Sequence, residues 1–265
     1  MRRGSWDDAT ALVEDGSTVA FSGAVLRGKP VAAARALAKA GKRDLELIAF
    51  TGSLEVELLL AAGGLRSVVS SYVGLGPHGL ARGFSAAVAD GIIEDRELSE
   101  WMLVGGLRAA VMGVPFLPTR AALGSELVAA RGFRCVDDPY TGEQFLAVPP
   151  IRPDVAFVHA WRADPEGNVQ LHWPPDHLAD VDVLVARASR TTVVSVEEVV
   201  PAEVVAAEPE RTKLFGFEVD LLVESPGGAR PGAMSPLYEE DADWIAERRE
   251  AIGAALLEME VPTRA

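Results

Sequence analysis

Three times before residue 90 the chain runs an apolar strand into a short turn and then into a helix, and this repeated unit restricts the fold most. Residues 18–22 (TVAFS) end at Gly23, and residues 30–40 follow with a first-turn proline and the alanine, leucine, arginine and lysine content of a helix. Residues 45–50 (LELIAF) precede Ser53, read as an N-cap, with Glu57 near the first turn of a helix that ends at Gly63. Residues 67–73 (SVVSSYV) form a third strand, followed by a helix over residues 80–89. Strands joined by helices pair in parallel and are covered by those helices. The expectation is an α/β protein with an open, mostly parallel sheet, helices on both faces and a single domain over residues 1–265.

The second half is richer in strand signals, at residues 145–148, 155–159, 181–186, 192–196 and 219–223. Several are continuous apolar or β-branched runs, as strands covered on both faces require. Residues 239–259 read as one closing helix, with Trp244, Ile245, Ile252, Leu256 and Met259 along one face. Pro149-Pro150 and Pro174-Pro175 punctuate loops rather than domains.

Charge excludes two classes of partner. The 25 basic residues against 39 acidic ones give a formal charge of -14, which repels nucleic acid and acidic membrane surfaces alike. No stretch reaches the ~18 apolar residues of a membrane-spanning helix, and the start MRRGSWDDAT lacks the apolar core of a signal peptide, so a soluble, cytoplasmic protein is expected. A single cysteine, Cys135, excludes an intrachain disulfide and fits a reducing compartment. It lies in the strand-like residues 133–136 and is read as a buried structural thiol.

Several segments bear on chemistry. The first strand-to-helix turn, residues 21–30 (FSGAVLRGKP), combines glycines that allow close backbone approach with Arg27, Lys29 and a following helix N-terminus. It is read either as a site for an acyl carboxylate or thioester oxygen, or as a solvated basic turn. Gly74 to Gly79 (GLGPHG) matches G-x-G-x-x-G, but it follows the third strand and Pro77 removes one N–H, so Gly74 and Gly76 fit a tight structural or acyl-group loop better than a dinucleotide cradle. His159, His172 and His177 with Asp164, Asp176 and Asp180 have no metal-ligand spacing, and no metal is assigned. His159, at the end of the 155–159 strand, is read first as a satisfied structural histidine and otherwise as one that hydrogen-bonds inside the crevice where open α/β sheets bind ligands. Glu94, Asp95, Glu97 and Glu100 form an acidic cluster: Glu94 and Asp95 are read as a solvated helix face, while the spacing of Glu97 and Glu100 puts them on one face if the segment is helical. Burial and mutual repulsion on such a face would raise one pKa and create a general base.

These segments carry a family resemblance. Residues 153–169 (PDVAFVHAWRADPEGNV) resemble the stretch PDVAIIHAQRADxxGNV of the alpha subunit of family I coenzyme A transferases, and FSGAVLRGKP is similar to the GGFxLxRxP pattern of the glutaconate type, with Ser22-Gly23 in place of Gly-Gly. SYVGLG at 71–76, VPFLP at 114–118 with Arg120 and Gly124, DPYTGE at 138–143, VEEVV at 196–200 and SPGGARPG at 225–232 continue the likeness in the family's order.

The resemblance implies the open α/β fold of such transferases, no permanently bound cofactor, and a coenzyme A thioester as substrate. It implies a beta-subunit partner in an α2β2 or larger assembly whose active site lies between subunits. There a beta-subunit glutamate attacks an acyl-CoA, passes through an acyl anhydride and a glutamyl-CoA thioester, and hands CoA to an acceptor carboxylic acid, dividing one hard exchange into easier ones. This chain lacks the beta-type glutamate motif, so the resemblance makes it incomplete alone, with Ser22, Gly23, Arg27, Lys29, Gly74, Gly76 and His159 lining the substrate. The chain also resembles the alpha subunit of a bacterial steroid ring-cleaving CoA-thioester hydrolase, across residues 27–30, 96–100 and 115–124. That likeness implies water-dependent C–C cleavage with Glu97 or Glu100 as the catalytic carboxylate. A non-catalytic acyl-CoA-binding subunit is the third reading.

Overall fold

The computed structural model describes residues 1–172, 174 and 179–259. β1 (Arg2–Arg3) and α1 (Trp6–Thr10) lead into β2 (Thr18–Ala24), α2 (Val31–Lys39), β3 (Leu45–Thr51), α3 (Leu54–Ala61) and β4 (Leu65–Ser70). Next come α4 (Arg82–Ala89), β5 (Glu94–Asp95) and the longer α5 (Glu100–Met112). The middle section holds β6 (Leu117–Thr119), α6 (Glu126–Ala130), β7 (Arg134–Asp137) and β8 (Gln144–Val148). After it run β9 (Val155–Ala163), β10 (Val169–Gln170), α7 (Ala179–Ala188), β11 (Thr191–Val199) and α8 (Ala202–Ala206). β12 (Thr212–Leu214), β13 (Leu221–Glu224), α9 (Ala242–Arg248) and α10 (Ile252–Glu258) close the described chain.

The main sheet runs β1-β13-β11-β9-β2-β3-β4-β5, and every neighbouring pair on that path is parallel. β10 joins it antiparallel to β9, and β12 pairs antiparallel with β10. A separate antiparallel sheet has the order β6-β8-β7. This is the open, mostly parallel sheet that the alternation predicts. From β2 the chain winds outward through β3 and β4, returns to β9 on the other side of β2, and winds away through β11 to β13. Connections leaving the carboxyl ends of β2 and β9 therefore diverge, which is the point at which open α/β sheets place their ligand crevice.

Alternation along the central strands divides the core into two faces. Val19 and Phe21 of β2, Leu45 and Leu47 of β3, and Val155 and Phe157 of β9 face a core shared with α2, α3 and α10. Ala20, Ile48, Phe50 and Ala156 face the opposite core, where Met102, Leu103 and Leu107 of α5 and Val181 and Val185 of α7 cover them. Phe21 and Phe157 meet across the reversal point with ring centroids 5.4 Å apart. Helices lie on both faces, as the continuous apolar runs require.

Four local expectations are corrected. Residues 181–186, expected as a strand, belong to helix α7: the valines alternate, but Val181, Val185 and Ala188 recur at helical spacing and are the ones in the core. The closing segment is two helices, α9 and α10, rather than one. Gly253 of α10 approaches α3 so closely that a Cβ there would stand 2.2 Å from the Glu57 carbonyl oxygen. Ser53 stands at the N-cap position of α3 without capping it, its hydroxyl buried and unpartnered, while Glu55 Oε2 accepts the Ser53 N–H at 3.2 Å. Cys135 is exposed, because β7 is an edge strand that, among the described residues, pairs with β8 alone.

Candidate active-site crevice

At the carboxyl end of β2 the chain makes its first turn, and Gly23 is there for a steric reason. Its φ is +85°, and a Cβ would stand 2.6 Å from the Arg27 carbonyl oxygen. The turn is closed by reciprocal hydrogen bonds of 2.9 Å between Ala24 and Arg27. Gly23 N–H donates to Asp182 Oδ1 of α7 at 2.7 Å, Val25 N–H to Thr51 Oγ1 at 3.0 Å, and Gly28 N–H to the Ala233 carbonyl at 2.9 Å. Most amides of the turn are thus already engaged, and what it offers a ligand is its surface and the exposed Arg27.

Lys29 does not stand beside Arg27 as a second exposed cation. It is fully enclosed and its Nζ lies 2.9 Å from Glu55 Oε1, itself fully enclosed. The contact is an ion pair without hydrogen-bond alignment, since neither atom has a directed partner. Glu55 ties the start of α3 to the first turn, so Lys29 supports the crevice floor from below.

The third turn lies against the first. Gly76, at φ +57°, comes so near Val25 that a Cβ would stand 3.2 Å from its Cγ1. Leu75 is buried, its N–H donating to the Gly79 carbonyl at 2.8 Å, and His78 Nε2 lies 2.9 Å from Glu240 Oε1. Gly74 bridges to Leu80 at the base of this loop. The first and third turns therefore meet at Val25 and Gly76 to form one surface, on which Arg27 is exposed while Gly23 and Gly74 are buried.

His159 is beneath that surface. β9 continues to Ala163, so His159 is in mid-strand rather than at the strand's end. β2 is shorter, and Phe21 pairs with Phe157, which sets His159 level with the β2 exit. Its N–H donates to Ser22 Oγ at 3.2 Å. Nδ1 lies 2.9 Å from Ser195 Oγ and Nε2 lies 2.9 Å from Glu197 Oε1. With Glu197 ionised, Nε2 carries the proton, and in the neutral ring Nδ1 accepts from the Ser195 hydroxyl. Glu197 Oε1 also accepts the Tyr238 hydroxyl, and Oε2 accepts the Gly227 N–H at 2.7 Å.

Burial pushes the Glu197 carboxyl up, but the hydrogen bond and charge of His159, the Tyr238 hydroxyl and the Gly227 N–H outweigh it and hold Glu197 below the usual range. Tyr238 moves the other way: burial, then the charge and hydrogen bond of Glu197, raise it well above an ordinary phenol. Ser195, His159 and Glu197 have the order of a nucleophile, a base and an orienting acid, yet residues 225–238 seal them in. A Cβ on Gly228 would stand 2.5 Å from His159 Cε1. The strap then reaches the first turn, with Ala233 N–H donating to the Leu26 carbonyl at 2.7 Å. The network positions the turn and offers no reachable nucleophile. Reading single residues misses Ser195, Glu197 and Tyr238. The signal for the first two is two polar residues two apart in the β-branched run of β11, which puts them on one face.

Glu97 and Glu100 do not share a helix. Glu97 precedes α5 and Glu100 is its first residue, capped by Ser99, and both are exposed. They stand beyond the carboxyl end of β4, where Leu98 N–H donates to the Ser70 carbonyl at 3.0 Å. Glu94 and Asp95 form strand β5 rather than a solvated helix face, and Asp95 is partly buried there, so burial, then the Glu97 charge, outweigh Arg131 and raise its carboxyl. His177 and Asp176 lie outside the described residues. Among the described residues no acidic, histidine or cysteine group could hold a metal, and no helix is long and apolar enough to cross a membrane.

A family model described as coenzyme A transferase matches residues 4–225. The chain belongs to the coenzyme A transferase family. The cholesterol ring-cleaving hydrolase IpdA subunit of Mycobacterium tuberculosis is 33% identical over 94% of this chain and 88% of that protein. The A-type subunit of the 3-oxoadipate CoA-transferase of Pseudomonas knackmussii is 34% identical over 92% of this chain and 87% of that protein. A solved structure of a variant of the decarboxylase AibA/AibB superposes with a TM-score of 0.87 at 33% identity, covering 97% of each chain. The chain spans 46% of the length of a further relative, an uncharacterized Archaeoglobus fulgidus protein to which it is 33% identical. Within the coenzyme A transferase family, the counterpart of this chain is the alpha, or A-type, subunit.

Proposed function

We propose that the chain is the alpha subunit of a heteromeric enzyme that moves CoA between an acyl-CoA and a carboxylic acid, with the covalent glutamate supplied by a separate beta subunit. The observation that carries this reading is the engagement of the chain's own buried glutamates. Glu55 pairs with Lys29, Glu57 accepts the Phe84 N–H at 2.9 Å at the start of α4, and Glu197 is held by His159, Tyr238 and Gly227. None is free to attack a thioester at the crevice. Gly23, Arg27, Gly74 and Gly76 shape the acyl side of the shared site, Arg27 facing the carboxylate of the acid. Ser22, Lys29 and His159 hold that surface from beneath.

A second reading is a CoA-thioester hydrolase using Glu97 or Glu100. The M. tuberculosis relative supports it, as does the exposure of both carboxylates beyond the β4 end, where a partner subunit could enclose them. Co-expression with the product of a neighbouring beta-type reading frame separates the readings. Transfer of CoA to a labelled acid supports the first. Water-dependent thioester-linked cleavage that disappears in Glu97→Gln/Glu100→Gln supports the second. Acyl-CoA binding without turnover of either kind would leave a non-catalytic subunit.

A further inference from the structure

The crevice sits at the carboxyl ends of the strands, whereas a separate cleft among the described residues has its opening at the amino ends of β2, β3 and β9. It is a cleft of about 630 Å³, within the range of sites that enclose a small molecule. Thr18 and Glu46, at the starts of β2 and β3, and Pro149 to Arg152, feeding β9, form its mouth. Ile48, Val69, Leu98 and Val148 form an apolar floor, and Phe116 and Phe133 add aromatic walls. The frame is rigid. Ile151 N–H donates to the Gly106 carbonyl at 2.9 Å, and a Cβ on Gly106 would meet Ile151 at 2.6 Å.

Its charge is opposite to that of the whole chain. Arg96, Arg131, Arg134 and Arg152 line it against Glu46 and Glu94 alone, in a protein of formal charge -14. Arg96 is matched to Glu46 at 2.6 Å, and Arg131 is fixed by the carbonyls of Glu97 at 3.0 Å and Asp95 at 2.5 Å. Arg134 and Arg152 have no ion pair among the described residues and leave the cleft positive. An apolar floor beneath guanidinium groups without ion pairs suits a ligand with an apolar body and a single anionic end.

We infer that this cleft is a second ligand site, separate from the crevice, that binds a small amphiphilic carboxylate with its chain on the floor and its head at Arg134 and Arg152. The inference rests on the transferase reading, in which Glu97 is not catalytic; Glu97 lies between Arg96 and Leu98 of the lining, so in the hydrolase reading the cleft would adjoin the reacting carboxylate. Calorimetry on the full chain tests it, with decanoate below its micellar range as the probe and butyrate and 1-decanol as controls. Saturable decanoate binding is expected, weaker for butyrate and absent for 1-decanol. Arg134→Gln/Arg152→Gln should weaken decanoate by about tenfold or more, because a charge-assisted contact is lost. Both arginines are exposed, so an unchanged thermal midpoint should accompany that loss. Three results would overturn the inference: decanoate binding no tighter than 1-decanol, full affinity in the double variant, or displacement of decanoate by saturating butyryl-CoA, which would move it to the crevice.

Discussion

Lys29 Nζ and Glu55 Oε1 lie 2.9 Å apart with neither side chain touching solvent. Removing one partner strands a buried charge, whereas removing both does not. Lys29→Met is expected to cost about 3–5 kcal/mol, and Lys29→Met/Glu55→Leu to recover most of that loss. Urea unfolding of the two single variants and the double variant measures the coupling. Additive losses would show that the pair is not the unit.

Glu197 gives the fold an acid limb. Its folded pKa lies below the unfolded value, so its contribution is complete above about pH 4.3 and is lost as pH falls through the depressed folded value. Comparing urea midpoints of the native chain and Glu197→Gln from pH 7 down to 3 should show a gap that is wide at neutral pH and closes on acidification. A gap of constant width would disconnect the carboxylate from stability.

Gly23→Ala is expected to lose at least about 2 kcal/mol, since its Cβ would enter the Arg27–Gly28 backbone at 2.6 Å. The same change at Gly91 is the control. Its φ is +68° but nothing lies within 4 Å of the added carbon, so it should cost the smaller backbone term alone. Equal losses at the two sites would remove the steric argument.

Arg27→Ala should leave the unfolding midpoint unchanged while raising the KM for the carboxylic acid in the assembled enzyme, with kcat less affected. Steady-state kinetics at saturating acyl-CoA make the split. An unaltered KM would remove Arg27 from the binding surface.

The sheet and its parallel order are legible because strand signals alternate with helix signals and because β2, β3, β9 and β11 each hold an apolar or β-branched run, as two-sided coverage requires. Helix α7 is misread because Val181, Val183 and Val185 alternate like a strand, and only burial separates that pattern from the spacing of Val181, Val185 and Ala188. The turn residues Gly23, Arg27, Gly74 and Gly76 are legible from glycine and charge at strand exits. The partners of His159 come from Ser195 and Glu197 on the adjacent strand and from Tyr238 in the strap, a juxtaposition set by sheet order rather than by local sequence. Lys29 looks like a surface cation until Glu55 is found beside it, for the same reason.

The reversal between β2 and β9 has a consequence in time as well as in space. Val19 pairs with Val155, so the hydrogen bond from Thr18 N–H to Asp154 Oδ2 spans 136 positions of chain. During synthesis β2, β3 and β4 can associate early, but the central seam stays open until β9 has emerged from the ribosome. Closing a loop of that length before any seam contact forms is a slow, entropically opposed event. Until then the β2 edge stands unpaired, a strand template open to association with the wrong neighbour.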